Sequence, residues 1–589
     1  MWILVCLLPL AGWILLSGLD DLFICLVWLW PYRRRFQPPR DADLEANAER
    51  RIAILVPLWR EHRVIGQMLE RNLSAIRYGD YEIFIGAYPN DEPTLRAVRD
   101  AARRHPRVHV AMTSHDGPTS KGDCLNAVYR RMEEYERRHG RRFQTIVTHD
   151  AEDLIHPDSL RFINWYARDY AMVQIPVLAL PTGLAEFTHG LYCDEFAEYQ
   201  SKDIPVRRRL GGFLPSNGVG TGFDRDALER LAATRGGLIF DPTCLTEDYE
   251  TGFGLHALGY RQIFVPLQFG PGKPVATREY FPRNLRSAIR QRSRWVTGIA
   301  LQGWQRHGWR APRRQIYWLW RDRKGLVGNL LSPIANALFF CWLARWHSHV
   351  EMPALVTRLF GATVALSAVQ AAARSWCAAR IYGWRFAAGV LPRILWSNLV
   401  NCAATFSALW QFTAAIRRGR SLAWRKTDHV YPVHRTPEQR RVGDLLVRMR
   451  RLSPDDLDDA LMTQPRNVRL GEHLMRGGKI SEESLYRALS LQAGIELGPP
   501  PRSEISRPVT QTLPAAVAER WQVLPYKVRL GQLYLLTTGI PTLEMTREIS
   551  TLTTLALRFR LATPHDFDRL RRQYLNGDGH QTPVRSADG

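Results

Sequence analysis

Two apolar regions in this sequence are long enough to require a membrane, and they decide what the rest of the chain can be. Residues 2–30 are almost wholly apolar, with Trp2, Trp13, Trp28 and Trp30 placed as interface anchors and Arg33, Arg34 and Arg35 directly after. A cleaved export signal has the opposite polarity, charges before the apolar run and small residues after it. Residues 1–31 therefore read as an uncleaved anchor, with a short hairpin as the alternative. Asp20 and Asp21 interrupt the run. Carboxylates are costly in hydrocarbon, so they belong at an interface or inside a helix bundle.

The second region covers residues 310–420. Arg310, Arg313, Arg314 and the run Tyr317–Trp320 predict an amphipathic interfacial helix. Leu326–Leu343 and Leu355–Ala373 follow, then Phe386–Ile416, which exceeds the roughly 20 residues of one upright span. Pro392 and Arg393 break that last stretch, so it holds two spans, or one span plus an interfacial piece. Arg417, Arg418 and Arg420 close the block. Basic flanks put the intervening domain and the C-terminal domain on the cytoplasmic side, which needs two or four spans between them.

The formal net charge is +23, with 80 Lys+Arg against 57 Asp+Glu. Such an excess calls for an anionic partner: nucleic acid, phosphate esters or an acidic lipid face. None of the standard nucleic-acid-binding signatures is present, so nucleic acid is disfavoured. The 8 cysteines form no C-x-x-C pair, which argues against a zinc ribbon or thiol redox site.

Residues 50–300 alternate short apolar runs with helical segments. Ile52–Val56, Tyr81–Ala87, Val108–Met112 and Thr145–Thr148 read as buried parallel strands, with helices over Val64–Ile76 and Glu92–Arg104. That order predicts a doubly wound α/β (Rossmann-like) domain, whose ligands bind beyond the carboxyl ends of the strands. The first, second and fourth of these ends carry acids: Pro57-Leu58-Trp59-Arg60-Glu61, Asn90-Asp91 and Asp150-Ala151-Glu152-Asp153. Asp150 and Glu152 have the hard oxygens that Mg²⁺ or Mn²⁺ prefers, although an acidic helix cap explains the same residues. No G-x-G-x-x-G or G-K-[ST] loop occurs, which disfavours dinucleotide and P-loop chemistry. Further on stand Lys121-Gly122-Asp123, the Gly-rich loop Pro215–Thr221 before a predicted helix Phe223–Leu231, Thr246-Glu247-Asp248, and Gln291-Arg292-Ser293-Arg294-Trp295. Gln291 and Trp295 are i,i+4 and share a helix face.

In this order, these motifs resemble the family-2 glycosyltransferases of processive polysaccharide synthases, which have a GT-A fold. The resemblance implies a nucleotide-sugar donor, UDP-linked, held by Pro57, Glu61, Asn90, Asp91, Lys121, Asp123 and Asp150. It implies Mg²⁺ or Mn²⁺ on Asp150 and Glu152, where Glu152 replaces the usual second aspartate. Asp248, with Glu247 beside it, becomes the catalytic base, and Gln291, Arg294 and Trp295 serve the acceptor and the leaving diphosphate.

Residues 437–575 contain a repeat. Arg441-Val442-Gly443-Asp444-Leu445-Leu446 returns as Arg469-Leu470-Gly471-Glu472-His473-Leu474, and Leu457, Leu461 and Gln464 return as Leu485, Leu489 and Gln492. Ser453 and Ser481 read as N-caps, so each copy is a short helix, a cap and a second helix. A duplicated helical hairpin with packing leucines accounts for the Leu spacing alone. The full pattern resembles the N-terminal domain of MshE-type secretion ATPases, an α/β domain that binds cyclic di-GMP. That likeness implies a ligand site on Arg441, Gly443, Leu446, Leu457, Leu461, Gln464, Arg469, Leu470, Gly471, Leu474, Gly478, Leu485, Leu489 and Gln492. Arg450 stands where the second copy has Gly478. The strand Leu533–Thr537 and a helix from Pro564 complete the domain, and 576–589 read as a disordered tail.

Anchor, transferase, membrane block and MshE-like domain, in that order, resemble the phage adsorption protein B (NfrB-like) family. That resemblance implies a bacterial inner-membrane, multi-pass synthase that polymerises a hexose or hexosamine onto a growing glycan acceptor. It further implies switching by cyclic di-GMP, membrane lipid around the helices, an outer-membrane export partner and a role in phage adsorption. Single-sugar transfer to a lipid carrier and a non-catalytic membrane scaffold are the alternatives.

Overall fold

The structure, a computed structural model, describes residues 2–30, 38–268, 274–345, 354–419, 442–465, 468–493, 495–529 and 531–574. Arg33, Arg34, Arg35, Arg420, Arg441 and the tail 576–589 lie outside the described residues. The chain divides into two units, Met1–Pro432 and Val433–Gly589.

The first unit opens with helix α1 (Trp2–Leu29). It is a single helix, so the hairpin alternative falls. Pro9 sits inside it without ending it. Strand β1 (Ile52–Pro57) is buried at every position, as its unbroken apolar run requires, and is flanked by parallel β2 (Tyr81–Ala87) and β4 (Thr145–Thr148). With β3 (Val108–Met112), β5 (Met172–Gln174), β7 (Thr221–Asp224) and β8 (Gln262–Phe264) they form, among the described residues, a seven-stranded sheet in the order β3-β2-β1-β4-β7-β5-β8. Strand β7 runs antiparallel to both neighbours. A small parallel pair, β6 (Val177–Ala179) and β9 (Thr277–Glu279), stands beside the sheet.

One sequence expectation fails here. Phe223 does not begin a helix: Thr221–Asp224 is a strand, and the helix is Arg225–Ala233. Asp224 ends the strand and caps the helix, its Oδ1 accepting from the Ala227 N–H at 3.1 Å.

The helices that matter for the site are α2 (Lys121–His139), α3 (Phe187–Glu198), α4 (Glu247–Ala257), α5 (Leu285–Trp295) and α6 (Arg313–Arg323). Helix α6, read from the sequence as an amphipathic interfacial helix, buries Trp318 and Leu319 against Phe213 and Tyr249 of the transferase domain.

The membrane block contains α7 (Gly325–Arg345), α8 (Ala354–Tyr382) and α9 (Val390–Arg417). Among the described residues, three stretches are long and apolar enough to cross a membrane: Pro9–Leu29, Ala354–Tyr382 and Val390–Arg417. The apolar part of α7, Gly325–Cys341, is shorter. Pro392 and Arg393 do not break α9. Pro392 occupies its first turn, where a missing N–H costs nothing. Arg393 is buried and pairs with Asp194 of α3 through Nε and Nη2, at 2.6 and 2.9 Å. The interruption lies upstream, between the four-residue helix Trp384–Ala387 and α9. Asp20 and Asp21 lie in a bundle as expected. Asp20 accepts from the Tyr317 hydroxyl (2.6 Å), and Lys324 Nζ reaches both carboxylates at 2.8 Å.

In the second unit, α10 (Val442–Arg448) with α11 (Pro454–Thr463) and α12 (Leu470–Arg476) with α13 (Glu482–Ala493) are the two repeat copies. Ser453 Oγ accepts from Asp456 N at 3.0 Å and Ser481 Oγ from Ser484 N at 3.2 Å, the expected caps. β10 (Val523–Arg529), β11 (Gln532–Thr537) and β12 (Ala556–Leu561) form a mixed sheet, and α14 (Pro564–Tyr574) follows.

Candidate active site

The carboxyl ends of β1, β2 and β4 open onto one side of the sheet, and the sequence-predicted acids gather there. After β1, Pro57 and Glu61 are buried, and the Arg60 N–H donates to Asp91 Oδ2 at 2.5 Å. Asn90, exposed, exchanges two hydrogen bonds with the Gly117 backbone at 2.7 and 2.9 Å. Trp59 meets Tyr88 edge to face at 5.3 Å between centroids. The Tyr88 hydroxyl lies 2.8 Å from Thr119 Oγ1, which donates to Asp123 Oδ2 at 2.6 Å. Pro57, Glu61, Asn90, Asp91 and Asp123 thus lie around one turn, with Trp59 and Tyr88 buried beneath Gly117.

Lys121 begins α2 and turns toward the other acids. Its ammonium lies 2.7 Å from Asp150 Oδ1 and 4.0 Å from Glu247 Oε1. Burial works against the charged lysine, but Asp150, Glu247 and Asp248 overcome it and hold its pKa above the ordinary value. Burial, with the neighbouring Asp248 charge, pushes Glu247 up to about 7 against the pull of Lys121. Asp248 is also raised by burial, while Lys121, the Tyr249 N–H and Arg294 pull it down. The Gly-rich loop closes on this group. Gly218 has φ +75°, and a β-carbon there would stand 2.6 Å from Asp248 Oδ2 and 3.3 Å from Lys121 Nζ.

Two further segments complete the floor. Leu154 and Arg278 exchange backbone hydrogen bonds, which brings β9 beside the Asp150–Asp153 turn. Burial raises Glu279 well above the carboxylate range, with Asp153, Glu152 and Asp150 adding to it. The sequence reading missed Glu279, because one glutamate in a three-residue strand leaves no pattern. Helix α5 carries Gln291, Arg294 and Trp295 and runs into the π-helical segment Val296–Gln302. Gln302 Oε1 accepts from the Leu245 N–H at 3.0 Å, and Gly298 packs on Thr246, which places α5 against the Thr246-Glu247-Asp248 turn. Gln291 Oε1 and Arg294 Nε are buried with no hydrogen-bond partner among the described residues. Trp295 is half-buried, its ring 6.0 Å from Tyr192 and 6.4 Å from Phe281.

Among the described residues no three His, Cys, Asp or Glu side chains stand close enough to hold a metal by themselves. Asp150 and Glu152 are hard oxygen donors at the end of β4. Two carboxylates plus substrate phosphates are the usual complement for Mg²⁺ or Mn²⁺, so the donor set fits.

In the second unit Gly443 packs against Leu457 and Gly471 against Leu485, the same contact in both copies. Leu446, Leu474 and Leu485 are buried in the hairpin core, Leu457, Leu470 and Leu489 are half-buried, and Leu461 and Arg469 are exposed. Gln464 Nε2 donates to the Val468 carbonyl at 2.7 Å. Arg450 adopts φ +56°, matching Gly478 at +67°. The arginine therefore keeps the turn that the glycine makes in the other copy.

Residues 49–298 match the family model described as glycosyltransferase like family 2, and residues 493–581 match the MshEN domain. Bacteriophage adsorption protein B of Escherichia coli (strain K12) is 35% identical over 566 residues, covering 89% of this chain and 75% of that protein. Bacteriophage N4 adsorption protein B of Escherichia coli O157:H7 matches to the same extent. The chain belongs to the bacteriophage adsorption protein B family. Its first soluble domain is thus a family-2 glycosyltransferase of GT-A type, it is a multi-pass membrane protein, and its C-terminal part contains an MshEN-like domain. The match to that domain begins after the two repeat copies. Among solved structures, the mannosyltransferase PcManGT from Pyrobaculum calidifontis, in complex with GDP-Man and Mn²⁺, is 20% identical, with a TM-score of 0.44 over 68% of this chain and 99% of that one. MshE with cdg is 24% identical, with a TM-score of 0.22 over 23% of this chain and 99% of that one. Both likenesses are too distant to assign a residue.

Proposed function

We propose that this protein is an inverting polysaccharide synthase that polymerises a hexose or hexosamine from a nucleotide-sugar donor, with Asp248 as the base. The observation that carries the reading is the convergence of Asp150, Glu247 and Asp248 on Lys121 beneath the Gly218 turn. Asn90 and Asp91, with Pro57, Glu61 and Asp123, hold the nucleoside, preferably uridine. Asp150 and Glu152 would hold Mg²⁺ or Mn²⁺, which when bound neutralises the donor diphosphate. Asp248 takes the acceptor hydroxyl proton as that oxygen attacks the anomeric carbon. The sugar–phosphate bond breaks on the opposite face, and its electrons leave with the nucleoside diphosphate. Arg294 and Lys121 supply positive charge beside the group. Gln291, whose buried oxygen has no partner among the described residues, and half-exposed Trp295 receive the acceptor sugar.

Helices α8 and α9 as two crossings keep both soluble units on one side, and the flanking arginines make that side cytoplasmic. The second unit binds cyclic di-GMP, which switches synthesis on. Exposed Arg469 and its repeat partner Arg441 are the guanine and phosphate contacts. An outer-membrane partner exports the glycan, whose presence at the surface links the protein to phage adsorption.

The test is full-length protein with a panel of nucleotide sugars, Mn²⁺ or Mg²⁺, and cyclic di-GMP. Polymer of inverted anomeric configuration is expected. Undiminished turnover by Asp248→Asn refutes the base, single-sugar products refute polymerisation, and equal rates with and without bound dinucleotide refute the switch.

A further inference from the structure

Tyr249 directly follows the base, and its hydroxyl donates to Asp322 Oδ2 at 2.7 Å. The same carboxylate receives both terminal nitrogens of Arg207, at 2.8 and 2.9 Å. Arg207 and Tyr249 are each 3% exposed. Arg207 Nε donates to the Phe213 carbonyl at 2.6 Å, and its guanidinium lies 4.0 Å from the Phe213 ring centroid and 5.2 Å from that of Trp318. Tyr249 meets Phe213 edge to face at 5.5 Å. One carboxylate therefore ties together the start of α4, the Ile204–Arg209 helix and α6.

Asp322 lies on α6, outside residues 49–298 that match the transferase family. Its neighbours Arg321 and Lys324 pair with Asp20 and Asp21 of α1, Arg321 to Asp21 at 3.2 Å and Lys324 to each at 2.8 Å. The turn bearing Asp248 is thus joined through side chains to the N-terminal membrane helix. A bidentate arginine pair leaves a carboxylate little freedom, and one that also accepts from tyrosine fixes both donors.

We infer that Asp322 is a positioning residue for sugar transfer. Through Tyr249 and Arg207 it sets where the Asp248 carboxylate stands over the acceptor. The inference rests on Asp248 as the base.

Turnover number, KM for donor and thermal inactivation are measured for full-length Tyr249→Phe, Asp322→Asn, the double variant and, separately, Asp248→Asn. Tyr249→Phe removes one hydroxyl and leaves the Arg207–Asp322 pair whole. It is expected to lower kcat about tenfold per folded molecule, with KM within twofold and thermal inactivation unchanged. Asp322→Asn lowers kcat at least as much, and the double variant is no worse than Asp322→Asn alone, since both act on one linkage. Unchanged kcat per folded molecule in Tyr249→Phe, or losses that multiply in the double variant, overturn the inference. Should Asp322→Asn not fold, Tyr249→Phe decides alone. An active Asp248→Asn instead overturns the base assignment, so the two failures are told apart.

Discussion

Alanine at position 218 places a single methyl group against the proposed base. The new β-carbon would lie 2.6 Å from Asp248 Oδ2, where ordinary contacts begin at 3.4 Å, so the carboxylate must retreat by several tenths of an ångström. Misplacing a reacting group by about 1 Å costs roughly 10²-fold in rate, equivalent to about 2.7 kcal/mol in the barrier. Lys121 Nζ, 3.3 Å from the same methyl, leaves little room on that side. The backbone adds a separate cost, since φ +75° disfavours any residue with a β-carbon by about 1–2 kcal/mol. Gly237→Ala separates the two effects, because Gly237 has φ +88° with nothing within 4 Å of its would-be β-carbon. Both variants should lose stability in thermal inactivation, Gly218→Ala at least as much as Gly237→Ala because it also displaces the Asp248 carboxylate. Only Gly218→Ala should lose about a hundredfold in the initial rate of nucleotide release. If Gly218→Ala keeps its rate within threefold of the parent while losing at least the stability that Gly237→Ala loses, the Asp248 carboxylate is not where the chemistry happens.

Glu247 has a folded pKa of about 7, above its ordinary 4.5, so the fold favours its protonated form. That contribution is complete below about pH 4.5 and is lost as pH rises through 7, by up to about 3 kcal/mol. Glu247→Gln should therefore raise thermal stability at pH 8 and change it little at pH 5; equal stability at both would show that burial of the charge is not the cause. Lys121→Met removes the cation from Asp150, Glu247 and Asp248 and should cost about 3–5 kcal/mol at pH 8, less at pH 5.5 where Glu247 takes up a proton. Denaturant unfolding at the two pH values checks it, and a loss that does not shrink in acid counts against the charge argument. Arg450→Gly relieves φ +56° and should slow hydrogen exchange in Val442–Arg448 by up to about 1 kcal/mol of protection. Faster exchange would mean that the arginine side chain outweighs the strain.

The strands β1 to β4 were legible from sequence almost to the residue, because each is a short buried run whose pairing partners are equally apolar. The positions of Asp91 and Asp150 were legible for a related reason, since they follow the ends of β2 and β4, whereas Asp248, in the first turn of α4, was singled out only by the resemblance of Thr246-Glu247-Asp248. The capped hairpins of the repeat followed from Ser453 and Ser481, whose effect is confined to one helical turn. β7 was not legible. Its four residues include a glycine, and a strand that short is decided by the gap it fills between β4 and β5. Glu279 was missed because its neighbours in space are Asp150, Glu152 and Asp153, far off along the chain.

Polarity and period are properties of adjacent residues, so the chain alone determined which segments seek lipid, which form strands, and where acids and the duplicated hairpin fall. Charge pairing over 100 or more positions depends on the path of the chain. Only the tertiary structure could decide that Lys121 sits among three carboxylates, that buried Arg393 answers Asp194, and that α6 packs Trp318 against the transferase. The physical reason is that desolvating such groups costs several kcal/mol each, and only partners brought together by packing offset that cost.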